Sequence, residues 1–97
     1  MSSAQKAALT LTDLDNREFR ILHALEIGMI RHEFVPIKNL IKYTEFNATE
    51  LNYWLKELDT KELIYRQGEP YLGYILNYAG YDCLALNALV KAEIVEA

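Results

Sequence analysis

The chain has 97 residues, 52% hydrophobic and 25% charged, which suits one compact core and is too little for two. Its formal net charge of −4 is the reverse of the basic balance expected of a free-standing DNA binder. The single cysteine, Cys83, excludes an internal disulfide or a multi-cysteine zinc site and fits a reducing, cytoplasmic setting, and neither a signal peptide nor a membrane-spanning apolar run is present, so no membrane partner is expected.

Residues 1–11 are small and polar and read as a flexible N-terminal tail. From Asp13 to about His32 the sequence predicts a first helix. Thr12 and Asp15 are candidate N-caps, and Glu18 stands three residues after Asp15 as in a capping box. Phe19, Leu22, Leu25 and Met29 recur at helical spacing and mark its core face, with Ile27 and Ile30 off that face. Pro36 breaks the pattern and suits the first position of a second helix, Pro36 to Tyr43, which buries Ile37, Leu40 and Ile41. Thr44 to Phe46 form a turn.

Asn47, with Glu50 three residues later, caps a third helix running to about Asp59. Leu51, Leu55 and Leu58 are its buried stripe, and Leu55 is expected to anchor it. Thr49, Asn52, Tyr53, Lys56 and Glu57 lie on the opposite face. Leu63–Gln67 and Tyr71–Leu76 then read as two strands joined by Gly68-Glu69-Pro70. Asn77 caps a fourth helix, Tyr78 to about Lys91. It is apolar nearly all round, so more than one side must be covered, and the sequence after Lys91 carries no stop signal. The order helix, helix, turn, helix, hairpin defines the expected fold class, mainly α with a small β-hairpin: a winged helix-turn-helix over residues 12–77. Residues 78–97 are expected to be a connecting helix and the start of a linker.

Chemistry-bearing patterns are sparse. His23 and His32 lie nine residues apart with no third ligand, so no metal site is expected. Cys83, inside an apolar helix, reads as a packing thiol. Gly68, Gly73 and Gly80 are spaced for turns and packing and do not form a phosphate cradle. No kinase catalytic-loop or metal-binding aspartate motif occurs, so no catalytic residue and no cofactor is assigned to this chain and it is not expected to be an enzyme by itself. What remains is binding. Thr49, Asn52, Tyr53 and Lys56 on the third helix could contact bases and phosphates, as could Arg66 and Tyr71 on the wing and Lys38 and Lys42 on the second helix. Tyr81, Cys83, Leu86 and Val90 on the fourth helix are candidate domain-interface residues.

Three segments carry a family resemblance: Phe19–Met29 (FRILHALEIGM), His32–Pro36 (HEFVP) and Pro70–Val90 (PYLGYILNYAGYDCLALNALV). From Leu11 to Val95 the chain resembles the N-terminal domain of RIO-type atypical serine/threonine protein kinases, second subfamily, in its archaeal form. The resemblance implies a winged helix that packs on its own kinase domain through the helix beginning at Tyr78. ATP and Mg would bind in that kinase domain, whose glycine-rich loop would start just beyond Ala97. It also implies a parent kinase or ATPase acting in small ribosomal subunit maturation, with the winged helix contacting rRNA or the pre-ribosomal particle. The composition alone leaves two other readings: a stand-alone winged-helix transcription regulator that dimerises through the fourth helix, or a pure protein-interaction module.

Overall fold

A computed structural model describes the backbone of residues 13–96 and the side chains of residues 13–90. The tail expected over residues 1–11 lies outside the described residues.

Helix α1 spans Asn16–Gly28 and opens with a complete capping box. The Asp15 side chain accepts from the Arg17 amide at 2.8 Å, and Glu18 Oε1 accepts from the Asp15 amide at 3.0 Å. Glu18 does more than cap. It is 1% exposed, and both its oxygens lie within 2.9 Å of Lys61 Nζ, 43 residues away. Lys61 also donates to the Asp13 carbonyl at 3.2 Å, so one ammonium ties the start of α1 to the far end of another helix. The core face of α1 is Ile21, Leu22, Ala24 and Leu25, with Phe19 and Met29 half-buried at its margin.

The helix stops at Gly28, earlier than the apolar spacing predicts. The reason is packing. A Cβ on Gly28 would stand 2.6 Å from a Val35 methyl, so the bare glycine lets the returning chain press against the helix. That returning chain is a strand not read in the sequence, β1 at Val35–Pro36. Pro36 then serves as the N-cap of α2 (Ile37–Thr44), with extended backbone, and is not the first helical residue. Of the residues expected to be buried there, only Leu40 is fully so, while Ile37 and Ile41 are half-buried.

The helix-turn-helix follows from local hydrogen bonding. Thr44 Oγ1 donates back to the Leu40 carbonyl at 2.6 Å and accepts from the Phe46 amide at 3.2 Å. Glu45 takes a left-handed conformation (φ 63°) and closes α2 through its amide. Asn47 then caps α3 (Ala48–Thr60), its side chain accepting from the Glu50 amide at 2.8 Å. Leu51, Leu55 and Leu58 are buried to 1% exposure or less, as the helical spacing requires.

Strands β2 (Ile64–Gln67) and β3 (Gly73–Leu76) form the wing hairpin, and the second strand starts two residues later than the alternation suggests. The sheet has three strands in the order β1-β3-β2, all antiparallel, with Val35 opposite Tyr74 and Ile64 opposite Leu76. Between the wing strands the Glu69–Pro70 peptide is cis. The Tyr71 hydroxyl donates to the Phe34 carbonyl at 2.8 Å and pins the base of the wing to the segment before β1.

Helix α4 spans Tyr78–Glu96, longer than the apolar pattern indicates. Asn77 caps it, accepting from the Gly80 amide at 2.9 Å and donating from its side chain to the Glu62 carbonyl. A Cβ at Gly80 would stand 2.3 Å from the Leu63 carbonyl oxygen, so only glycine allows the first turn of α4 to lie on the α3–β2 connection. Ala79 and Cys83 complete the core that the three earlier helices and the sheet enclose. A boundary at residue 77 therefore cuts through the core, and the first two turns of α4 belong to the domain itself. The architecture is a mainly α winged helix-turn-helix.

Candidate nucleic-acid interface

The outer face of α3 gathers four of the expected contact residues. Thr49, Asn52, Tyr53 and Lys56 are all exposed, and their spacing places them on one side of the helix, away from the leucine stripe. Lys38 and Lys42 are exposed one turn apart on α2, and Arg66 is exposed on β2. Tyr71 is 40% exposed, but its hydroxyl is held by Phe34, so it has a ring to offer and no spare donor. Lys56 is the cation of the α3 face, with Glu50 and Glu57 half-buried on the same helix and Glu69 exposed on the wing. Weak, short-range contacts suit such a surface better than long-range electrostatic capture.

On α4 the candidate interface residues divide. Tyr81 and Val90 are 41% and 45% exposed, and Leu86 is half-buried against the core. Cys83 is a correction. It is 0% exposed and enclosed by this domain, so it cannot face a partner. Burial, with the Asp82 carboxylate adding to it, pushes the thiol up to about 11, which keeps it protonated and unreactive at neutral pH. In a helix apolar on every side, periodicity does not tell the core face from an outer one.

Beside α4 lies a feature that the sequence only hinted at. An open groove of about 1160 Å³ runs between α1 and α4, with apolar walls from Phe19, Ile27, Tyr43, Tyr81, Leu84 and Ala88 and a polar rim that includes Arg20, His23, Glu26 and Asp82. Within it Ile27 is 43% and Tyr81 41% exposed. Ile27 is one of the two residues expected off the core face of the first helix, and the other, Ile30, lies past the end of α1 in the turn that follows. Among the described residues, no group of His, Cys, Asp and Glu side chains is placed to hold a metal ion, His23 and His32 included.

The model of the family described as "Rio2, N-terminal" matches residues 11–92. The chain belongs to this Rio2 N-terminal family. The serine/threonine-protein kinase rio2 of Dictyostelium discoideum is 36% identical over 81 residues, covering 84% of this chain and 16% of that protein. Among solved structures, the Rio2 kinase from Chaetomium thermophilum superposes with a TM-score of 0.75 at 31% identity, covering 86% of this chain and 24% of that one. That kinase has also been solved as an ADP/Mg2+-phosphoaspartate complex. The chain thus spans between a sixth and a quarter of the length of these relatives. MepR, a transcription regulator of the Staphylococcus aureus multidrug efflux pump MepA, shares the fold at a TM-score of 0.77 and 19% identity, over 97% of this chain and 71% of that one. The fold is accordingly the N-terminal winged helix of Rio2, and the likeness to MepR is one of fold alone.

Proposed function

We propose that this Rio2 N-terminal domain is the accessory binding module of a RIO-type serine/threonine kinase or ATPase. In this reading the parent acts in the cytoplasm in small ribosomal subunit maturation. The observation that carries the proposal is the family match over residues 11–92. Two surfaces divide the work. The outer face of α3, with Lys38, Lys42, Arg66 and Tyr71, contacts rRNA or the pre-ribosomal particle. The α1–α4 groove packs on the kinase domain, where ATP and Mg bind. An exposed apolar surface of this kind marks a protein contact, and its position along α4 suits a neighbour in the same protein.

The RNA contact is tested by titrating salt against a fluorescent RNA hairpin and a DNA duplex. With two to four phosphates neutralised, the slope of log affinity against log salt should be about −1.5 to −3.5. Lys56→Glu should weaken all sequences alike, because a phosphate contact positions and does not specify. Tight, sequence-selective duplex binding would instead make the chain a transcription regulator, a role its net charge of −4 opposes. For the groove, which the exposed Ala85 also lines, Ala85→Glu should reduce capture of the separately supplied kinase domain without lowering the melting temperature. A chain that sediments as a dimer, and that Ala85→Glu returns to monomer, would assign the groove to self-association.

A further inference from the structure

We propose that the flank of the domain between α1 and α3 binds single-stranded nucleic acid through Arg17, Arg20 and Tyr53. The inference rests on the RNA-contact reading above and shifts the principal contact from Lys56 towards α1, with Tyr53 shared between the two surfaces.

Arg17 and Arg20 are exposed one turn apart on α1, and Arg20 also stands at the edge of the α1–α4 groove, so the two surfaces meet at that residue. The Arg17 guanidinium lies 5.5 Å from the centroid of the Trp54 ring, and that of Arg20 lies 5.4 Å from the Phe46 ring. An aromatic ring beneath a guanidinium restrains the group while its N–H edges remain able to donate. Arg20 is fixed further by a 3.4 Å hydrogen bond from Nη1 to the Thr44 carbonyl. The Asp15 carboxylate meets Arg17 at Nε, 3.5 Å away, and the two Nη groups carry the remaining N–H donors. Two restrained guanidinium groups on the same side of α1 can each donate to a phosphate of an extended strand.

Tyr53 extends the strip beyond Trp54. The two rings meet at 86° with centroids 4.9 Å apart, and Tyr53 is 58% exposed. A T-shaped contact occupies at most one face of the tyrosine, so the other is available to stack an unpaired base. Glu50 and Glu57 are the i−4 and i+3 neighbours of Trp54 on α3, so the strip gains little from long-range attraction. Its affinity comes from short-range forks and stacking, and only a strand with unpaired bases can use both. An acidic peptide would satisfy the arginines and leave Tyr53 without a partner ring.

The test uses the 97-residue chain and a fluorescent single-stranded RNA ten nucleotides long, read by anisotropy, with thermal melts of every variant. Arg17→Lys/Arg20→Lys keeps both charges and removes both forks. Affinity should fall about ten-fold while the salt slope stays that of wild type. Tyr53→Ala, at a surface position that leaves folding intact, should cost about 5- to 150-fold. It keeps the proposal testable if the arginine variant melts early. Lys56→Glu should cost less than either.

If Lys56→Glu loses binding while the arginine and tyrosine variants bind as wild type does, the flank is not the site and the RNA reading survives. If wild type binds no RNA at low salt, both readings fall. If polyglutamate displaces the RNA as readily as unlabelled RNA does, the strip is an acidic-protein surface and the nucleic-acid assignment is overturned.

Discussion

Replacing Lys61 with methionine strips the buried Glu18 carboxylate of its cation. Glu18 is 1% exposed, whereas the Lys61 side chain is 23% exposed, so the carboxylate bears the loss. It would keep one polar partner, the Asp15 amide at 3.0 Å, in place of three contacts at 3.0 Å or less. Removing one partner of a buried ion pair costs about 3–5 kcal/mol, most of it the uncompensated charge left behind. A domain of this size has roughly 5–15 kcal/mol in total. With a urea dependence of about 1.5 kcal/mol/M, Lys61→Met should lower the denaturation midpoint by about 2–3 M. Glu18→Gln/Lys61→Met should recover part of that loss, because the glutamine oxygen can still accept from the Asp15 amide and no charge stays buried. The assay is equilibrium urea unfolding followed by far-UV circular dichroism. A single variant within about 0.3 M of wild type, against the 2–3 M expected for a buried pair, would show that water already screens the pair. A double variant no better than the single one would show that charge is not the cause.

Gly80→Ala should destabilise, although alanine is the better helix former elsewhere, because its Cβ would stand 2.3 Å from the Leu63 carbonyl oxygen. We expect a melting temperature at least about 5 °C lower, and a higher one would refute the close approach. Leu55→Ala, at a site 1% exposed, should cost about 2–5 kcal/mol in the same urea assay, and an unchanged midpoint would place α3 in the wrong phase. Cys83, with its thiol pushed up to about 11 from an ordinary 9.0, should resist iodoacetamide at pH 8 until the chain unfolds. Because its folded value is the higher one, the associated stability is fully present below pH 9 and is lost as pH rises towards about 11. Labelling of the native chain as fast as a small thiol would contradict its burial.

Local signals were legible in the sequence wherever they decided the structure locally. The Asp15 capping box, the Asn47 and Asn77 caps and the Leu51–Leu55–Leu58 stripe each need only neighbours a turn or two away. Strand β1 was not legible, because its two residues gain a ladder only from Tyr74 and Gly73, nearly forty positions on. The end of α1 was hidden as well, because Met29 continues the apolar spacing, whereas the packing of Val35 on Gly28, seven residues back, shows only in the folded chain. Glu18 read as a cap and not as a buried ion, since its partner Lys61 stands beyond two further helices. For the candidate site, exposure on the outer face of α3 followed from helical phase. The stacking of Arg17 and Arg20 did not, because surface arginines on a helix give no sign of which ring lies beneath them.

The close seat of Gly80 against Leu63 has a mechanical side. It grips the first turn of α4 (Tyr78–Glu96), an unbroken helix of 19 residues and about 28 Å whose later turns run on past the core. A rod clamped at one end converts small rotations at the clamp into large displacements at the tip. A tilt of about 10° at the first turn would carry the far end of α4 roughly 5 Å, given a rise of about 1.5 Å per residue. Any element borne there would register a strain felt at the wing or at the α3–β2 connection as a change of position, with no loop to absorb it.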